Sequence, residues 1–260
     1  MNRYEHIQAA GDAPARQRMN LPNAITVGRI FVTPLIAFLP FVNSWPVRFL
    51  AFAIFILAAV TDYFDGMLAR TRNLVTDLGK LLDPLADKLL LLGTFIPMYL
   101  LGGGSTAWSP FAARNFFSLD PELAATGRHM PLVTPLGPLG LPLWIVIVVL
   151  GREALMTVFR HIAAKRGVII AAIGPAKWKT GFQQTWVGAT YFWFGYATLL
   201  LSGDWQPSGG LARLARGIAY FIGTVALVAM VCAVVLTVYT LWLYVRRYGY
   251  LFGAARSPAR

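Results

Sequence analysis

Residues 51–93 read AFAIFILAAVTDYFDGMLARTRNLVTDLGKLLDPLADKLLLLG, two apolar runs joined by a polar segment that contains five aspartates. Each run borders a stretch long enough for a membrane-spanning helix, which needs about 20 mostly apolar residues. A carboxylate at membrane depth costs about 2.5–3.5 kcal/mol on insertion scales, so several together need a compensating partner. The segment therefore predicts two helices of a membrane protein with an acidic cluster where they meet.

Helical spacing places four of these carboxylates on two facing surfaces. Asp62 and Asp65 are three residues apart, so both project from one face of a helix. Gly79, Asp83 and Asp87 follow one another at intervals of four and form one stripe on the next helix. Antiparallel packing of these helices would bring the four carboxylates together. Because such a set repels itself unless it binds cations, and hard oxygen ligands favour Mg²⁺ or Mn²⁺, the spacing predicts a metal site.

Small and basic residues accompany the acids. Gly66 and Ala69 follow the first pair of aspartates, and Gly79 precedes the second pair by one turn. The lack of side-chain bulk at these positions lets a large anionic ligand approach the backbone. Arg70, two helical turns beyond the first aspartate, is placed to bind a phosphate.

Each acid also has an ordinary structural interpretation. Asp83 before Pro84 can be the N-cap of a helix with proline at its first position. Asp65 before Gly66 is compatible with a turn, and Asp77 with a solvated loop. The combined pattern D-x-x-D-G-x-x-A-R-x8-G-x3-D-x3-D fixes eight positions, and at the border of two apolar runs it favours a functional site.

The whole chain has the composition of an integral membrane protein. Of its 260 residues, 57% are hydrophobic and 13% are charged, and the mean hydropathy is +0.59. Soluble domains carry about 25% charged residues, so a soluble globular domain is excluded. The net charge of +12 is expected to face the cytoplasm and anionic lipid rather than nucleic acid. The single cysteine, Cys232, excludes an internal disulfide and a cysteine-based zinc site.

Six stretches are apolar and long enough to span a bilayer: residues 24–43, 46–65, 85–102, 141–161, 180–202 and 217–245. Cations concentrate in the second-to-third and fourth-to-fifth connections and after the sixth stretch, so the positive-inside rule places these segments and both termini in the cytoplasm. The predicted fold is an all-α bundle of six transmembrane helices. Its parts are a polar tail at residues 1–18 without a cleaved signal peptide, a membrane domain at residues 19–250 with a long outer loop at about 103–140, and a basic tail at residues 251–260.

The sequence resembles the CDP-alcohol phosphatidyltransferase family at eight signature positions: Asp62, Asp65, Gly66, Ala69, Arg70, Gly79, Asp83 and Asp87. The resemblance extends over about residues 19–245 and implies the bundle of that family, in which homodimers are typical. It implies transfer of the phosphatidyl group of CDP-diacylglycerol to an alcohol, with release of CMP. The flanking segments LPNAITVGR at 21–29 and DPLADK at 83–88 resemble bacterial members that use glycerol 3-phosphate at the inner membrane, with the active site facing the cytoplasm.

The resemblance also implies roles for the signature residues. Two divalent ions, Mg²⁺ or Mn²⁺, are expected to bridge the diphosphate of CDP-diacylglycerol, held by Asp62, Asp65, Asp83 and Asp87. Asp87 is expected to be the general base that deprotonates the acceptor hydroxyl. CDP-diacylglycerol is expected to contact Asp62, Gly66, Ala69, Arg70 and Gly79.

A phosphorylated acceptor requires a basic pocket near the acids. Arg152 and Arg160 lie eight residues apart on one face of the predicted fourth span and are the first candidates, with Glu153 orienting them. Lys177, Lys179 and Arg29 are further candidates for the acceptor phosphate. The two lysines are equally compatible with contacts to lipid headgroups.

Other functions are compatible with parts of the pattern. The same chemistry with another acceptor would give a cardiolipin synthase that uses phosphatidylglycerol, or an enzyme that uses inositol phosphate or serine. A UbiA-type prenyltransferase also has membrane aspartates, but on separated helices, whereas here all four lie between Asp62 and Asp87. A divalent-cation transporter would need acids on several spans, and the other predicted spans contain only Glu153.

Overall fold

The computed structural model describes residues 21–71, 77–102, 130–168, 170 and 174–249. Within these ranges, the side chains of residues 21, 22, 63, 65–71, 77, 78, 80 and 81 lie outside the description. The predicted tails at 1–18 and 251–260 and most of the predicted outer loop, residues 103–129, also lie outside it.

The described residues form six long helices and one short hairpin. The helices are α1 (Leu21–Phe38), α2 (Trp45–Thr71), α3 (Asp77–Leu101), α4 (Leu143–Lys165), α5 (Pro175–Leu201) and α6 (Gly209–Tyr248). A 3-10 turn, Leu39–Phe41, follows α1, and the strands β1 (Leu132–Thr134) and β2 (Gly137–Leu139) pair antiparallel with Val133 opposite Pro138. Each predicted span overlaps one helix, so the all-helical membrane architecture agrees with the sequence.

Four segments are long and apolar enough to cross a membrane: Asn23–Phe41, Trp45–Asp62, Leu82–Leu101 and Gly209–Tyr248. They carry large apolar side chains that are exposed on the protein surface, among them Phe31, Leu57 and Phe221, as expected for contact with lipid. Helices α4 and α5 have 23 and 27 residues, but charged and amide side chains lower their apolar character. The count of six spans and the orientation of the termini therefore stay predictions.

Helices α2 and α3 continue beyond their apolar runs. Helix α2 extends to Thr71, and α3 begins at Asp77, six residues before Asp83. The interpretation of Asp83 as an N-cap is therefore wrong, because Pro84 lies inside α3. Asp77 is the first residue of a helix and not a loop residue. Polar turns that project from an apolar span remain helical, since their backbone hydrogen bonds do not depend on side-chain polarity.

Helix α5 lies at the centre of the bundle, where it packs against α6, α2 and α3. Its side chains Trp186, Tyr191 and Trp193 are almost fully buried. The Tyr191 hydroxyl donates a hydrogen bond to the carbonyl oxygen of Ile36 at 3.1 Å and lies 3.4 Å from that of Gly93. This contact joins α5 to α1 and to α3, the helix that contains Asp83 and Asp87.

The strand β1 packs into the bundle, whereas β2 is half-buried and Leu136 at the turn is exposed. Leu132, Val133 and Thr134 are buried, and β1 lies against α6. At Gly223 of α6, an added Cβ would lie 1.7 Å from the carbonyl oxygen of Val133. The close approach requires glycine at this position, so the described end of the predicted outer loop is an integral part of the core.

Replacement of Gly223 by alanine should lower the stability of the protein. The methyl group would overlap the β1 backbone, and such overpacking costs about 1–3 kcal/mol. We expect a lower midpoint of thermal unfolding in detergent for Gly223→Ala than for the wild type. Gly217→Ala is the matched control, because a Cβ there has no neighbour within 4 Å. Equal midpoints for the two variants would contradict the prediction.

Candidate active site

An arginine of α1 lies between the acids of α2 and α3. Arg29 is buried, with 4% of its surface exposed, and its Nη1 lies 3.2 Å from Oδ1 of Asp87. The same nitrogen forms an ion pair with Oδ1 of Asp62. One turn earlier, the Thr26 hydroxyl donates a hydrogen bond to Oδ1 of Asp83 at 2.8 Å. Three of the four predicted metal-binding aspartates therefore contact one face of α1.

This face of α1 is a polar stripe on an apolar helix. Asn23, Thr26, Arg29 and Thr33 are all buried, and they follow one another at intervals of three or four residues. Such intervals bring side chains to the same side of a helix, and polar side chains of membrane helices face the protein interior. Arg29, one of the residues predicted for the acceptor phosphate, lies in the acidic cluster. In the sequence, the regular spacing of these polar residues indicates that Arg29 faces the protein interior.

Two carboxylates of the acidic cluster converge on one positive centre, as ligands of a hard cation do. A single guanidinium nitrogen contacts Asp62 and Asp87, so both carboxylates reach one positive centre. Their side chains are 38% and 62% exposed, which leaves them accessible from solvent. Carboxylate oxygens are the ligands that Mg²⁺ and Mn²⁺ prefer. Among the described side chains, no three His, Cys, Asp or Glu residues form a group that could hold a metal, and the side chain of Asp65 is outside the description.

The remaining signature residues flank the acids. Gly66, Ala69 and Arg70 occupy the last turns of α2, and their side chains lie outside the described part of the structure. Gly79 is buried in the first turn of α3. Their predicted contacts with CDP-diacylglycerol therefore stay predictions.

A cavity of about 150 Å³ opens beside the acids. Residues of helices α2, α3, α4 and α5 line it, and the charged ones are Asp62, Asp87, Lys88, Glu153 and Lys179. The apolar side chains of the lining are Phe55, Leu90, Leu91 and Val187. The cavity thus joins the acidic cluster to a second group of charged residues.

The second group is a buried ion cluster with one excess positive charge. Glu153 Oε1 accepts a hydrogen bond from Arg152 Nη1 at 2.9 Å and forms an ion pair with Lys179 Nζ. Arg152 also donates from Nη2 to the Thr240 hydroxyl at 3.2 Å, and its guanidinium lies 5.9 Å from the ring centre of Tyr244. Arg152 therefore faces α6, whereas Lys179 faces the cavity.

The five residues predicted for the acceptor phosphate occupy three environments. Lys179 lines the cavity, Arg152 reaches it only through Glu153, and Arg29 lies in the acidic cluster. Arg160 and Lys177 are exposed near the ends of α4 and α5. Of these five residues, only Lys179 belongs to the lining of the cavity.

Sequence reasoning missed the amide side chains of α5. Gln183 and Gln184 line the cavity, together with Thr180 on the same helix and Thr94 of α3. Thr180, Gln183, Gln184 and Val187 follow the spacing of one helix face. In the sequence, two neighbouring amide residues near the start of a predicted membrane span indicate a polar site inside the protein.

Comparison with known proteins adds a family and named relatives. The family model for CDP-alcohol phosphatidyltransferase matches residues 19–118. A CDP-diacylglycerol–glycerol-3-phosphate 3-phosphatidyltransferase of Bacillus subtilis is 36% identical over 65% of this chain and 75% of its own length. A probable phosphatidylglycerophosphate synthase of Mycobacterium tuberculosis is 30% identical over 68% of this chain and 69% of its own length.

Local similarity is higher to shorter segments of other relatives. A Rickettsia typhi protein named CDP-diacylglycerol–glycerol-3-phosphate 3-phosphatidyltransferase is 52% identical over 71 residues, which are 27% of this chain. The chain spans 39–44% of the length of the four Rickettsia relatives that it matches.

Proposed function

The chain belongs to the CDP-alcohol phosphatidyltransferase family, and from this premise we propose that it transfers the phosphatidyl group of CDP-diacylglycerol to glycerol 3-phosphate. The products are phosphatidylglycerophosphate and CMP. The observation that supports this acceptor is the cavity whose lining includes both Asp87 and Lys179. A small molecule that carries both a reactive hydroxyl and a phosphate matches these two groups.

The acids of the cluster hold the donor in this proposal. Asp62, Asp65, Asp83 and Asp87 would hold Mg²⁺ or Mn²⁺, which would supply positive charge to offset the negative charge of the CDP-diacylglycerol diphosphate. Small side-chain volume at Gly66, Ala69 and Gly79 lets the nucleotide approach the helix backbones, and Arg70 contributes positive charge beside the phosphates.

The acceptor reacts at the other side of the cluster. Asp87 takes the proton of the terminal hydroxyl, and the oxygen attacks the phosphorus attached to the diacylglycerol. The bond from that phosphorus to CMP breaks, and CMP leaves. Lys179 binds the phosphate of the acceptor, and Glu153 positions the lysine through their ion pair.

The protein acts at a membrane in this proposal, with its site on the cytoplasmic side of the bacterial inner membrane. Basic residues at three helix ends support this orientation: Lys165 ends α4, Lys177 lies in the first turn of α5, and Arg246 and Arg247 lie in the last turn of α6. Assembly as a homodimer is proposed from the family resemblance alone.

The proposal predicts which lipid the purified protein makes and what it needs. In the presence of CDP-diacylglycerol and Mg²⁺ or Mn²⁺, we expect the protein to convert glycerol 3-phosphate to phosphatidylglycerophosphate. With phosphatidylglycerol, inositol 1-phosphate or serine as the acceptor, we expect no lipid product. Mass spectrometry of the lipids measures both results. EDTA should reduce CMP release to background, and excess Mg²⁺ or Mn²⁺ should restore it. If the protein forms cardiolipin from phosphatidylglycerol, it is a cardiolipin synthase and the proposed acceptor is wrong. Full activity in EDTA would refute the proposed binding of Mg²⁺ or Mn²⁺.

A further inference from the structure

The wall of the cavity contains two amides that the proposed chemistry does not use. Gln183 is 7% exposed and lies in the cavity wall, and Gln184 lines the same cavity. The Oε1 atom of Gln184 is buried and has no hydrogen-bond partner among the described residues. Buried polar groups in native proteins almost always have a hydrogen-bond partner, so a further donor is expected beside this amide.

The position of the amides on α5 defines which part of a ligand they meet. Gln183 and Gln184 follow Lys179 by four and five residues, which is about 6–7.5 Å along a helix axis. A molecule with its phosphate at Lys179 and its reactive hydroxyl at Asp87 would place its middle beside this helix face. The apolar neighbours Leu90, Leu91 and Val187 offer this middle part no hydrogen bond.

The chemistry of an amide matches a hydroxyl group. An amide offers a carbonyl oxygen that accepts and an amino group that donates, and a hydroxyl group both donates and accepts. A carboxylate or a phosphate at this place would only accept, which would leave Gln184 Oε1 without a donor. The orphan acceptor therefore favours a hydroxyl over a second acidic group.

We propose that Gln183 and Gln184 bind the hydroxyl group of the acceptor that does not react, and thereby select acceptors with a hydroxyl beside the reactive one. For glycerol 3-phosphate this is the hydroxyl at the central carbon. The inference rests on the proposed function, because it takes the acceptor phosphate and the reactive hydroxyl to be placed as described above.

The test compares glycerol 3-phosphate with 3-hydroxypropyl phosphate, which keeps the phosphate and the terminal hydroxyl but lacks the central one. The wild type should use the deoxy compound with a kcat/KM about 100-fold lower, because the analogue leaves the amides of the site without their hydrogen-bond partner. In Gln184→Leu and Gln183→Leu, kcat/KM for glycerol 3-phosphate should fall toward that of the deoxy compound. The constants for the deoxy compound and the KM for CDP-diacylglycerol should stay nearly unchanged.

Gln206→Leu is the matched control, because Gln206 is exposed and follows the outer end of α5. It should keep the wild-type ratio between the two acceptors. Equal use of both acceptors by the wild type, or an unchanged ratio in both cavity variants, would overturn the inference while leaving the proposed function intact. A wild type that does not use glycerol 3-phosphate at all would overturn the proposed function itself. The comparison of the two acceptors in the wild type needs no variant, so it tests the inference even if a substitution prevents folding.

Discussion

Asp87→Asn should lower kcat by about 10³-fold, because asparagine keeps the size of the side chain and removes the base that accepts the proton of the hydroxyl. The side chain of Asp87 is 62% exposed in the cavity wall, where an acceptor can reach it. Binding of CDP-diacylglycerol should persist, because Asp62 keeps its carboxylate and its ion pair with Arg29. CMP release measures the first effect, and the thermal shift caused by CDP-diacylglycerol measures the second.

Asp204→Asn is the control for this substitution. Asp204 is exposed between α5 and α6, where its Oδ2 accepts a hydrogen bond from Trp45 Nε1 at 2.9 Å. The same chemical change there should leave kcat unchanged. The Asp87 variant also removes one partner of Arg29, so its unfolding midpoint must be recorded with its activity. Turnover near the wild-type level in a folded Asp87→Asn protein would show that another group is the base.

The positions of the helices follow from the sequence to a large extent. Each predicted span overlaps one helix, since an apolar run of sufficient length has few other stable conformations in a bilayer. The extensions to Thr71 and from Asp77 were missed, because an apolar criterion ends where polar residues begin. The hairpin Leu132–Leu139 was missed for a different reason. Its burial depends on a glycine in α6, about 90 residues later, and no local pattern indicates that contact.

The candidate site was predictable only in part. The spacing of the aspartates indicated that they converge, and the structure brings Asp62, Asp83 and Asp87 to one face of α1. The contact from Arg29 to Asp87 joins residues 58 positions apart, and periodicity within one helix does not select the partner helix. The sequence also could not show that Arg152 faces α6 whereas Lys179 lines the cavity. Both residues are basic, and only the packing of the helices distinguishes them.

The two charged groups beside the cavity have the same arrangement of charges. In each, two like charges flank a single opposite charge: Asp62 and Asp87 flank Arg29, and Arg152 and Lys179 flank Glu153. The central charge offsets the repulsion of its neighbours, and each group keeps one net charge for a ligand of opposite sign. The acidic group is suited to a cation and the basic group to a phosphate. Replacement of Arg29 or Glu153 should therefore lower the stability of the folded protein, whatever its effect on the reaction rate.

Glu153→Leu should destabilise the protein by about 3 kcal/mol, because it leaves two buried cations without their shared partner. The side chains of Arg152 and Lys179 are only 5% and 7% exposed, so both cations would stay largely removed from solvent after the carboxylate is lost. Added inorganic phosphate should raise the midpoint of thermal unfolding more in this variant than in the wild type, since an anion can bind where the carboxylate was. Thermal unfolding in detergent, with and without phosphate, measures both effects.

A double variant separates loss of charge balance from loss of packing. Lys179→Met removes one of the two cations, so Glu153→Leu combined with Lys179→Met should be more stable than Glu153→Leu alone. Glu153→Gln, which keeps the shape and an acceptor oxygen but not the charge, should lie between the wild type and Glu153→Leu. If the destabilisation of the double variant equals the sum of the two single effects, the residues are not coupled. The ion pair between Glu153 and Lys179 would then not position the lysine for a phosphate.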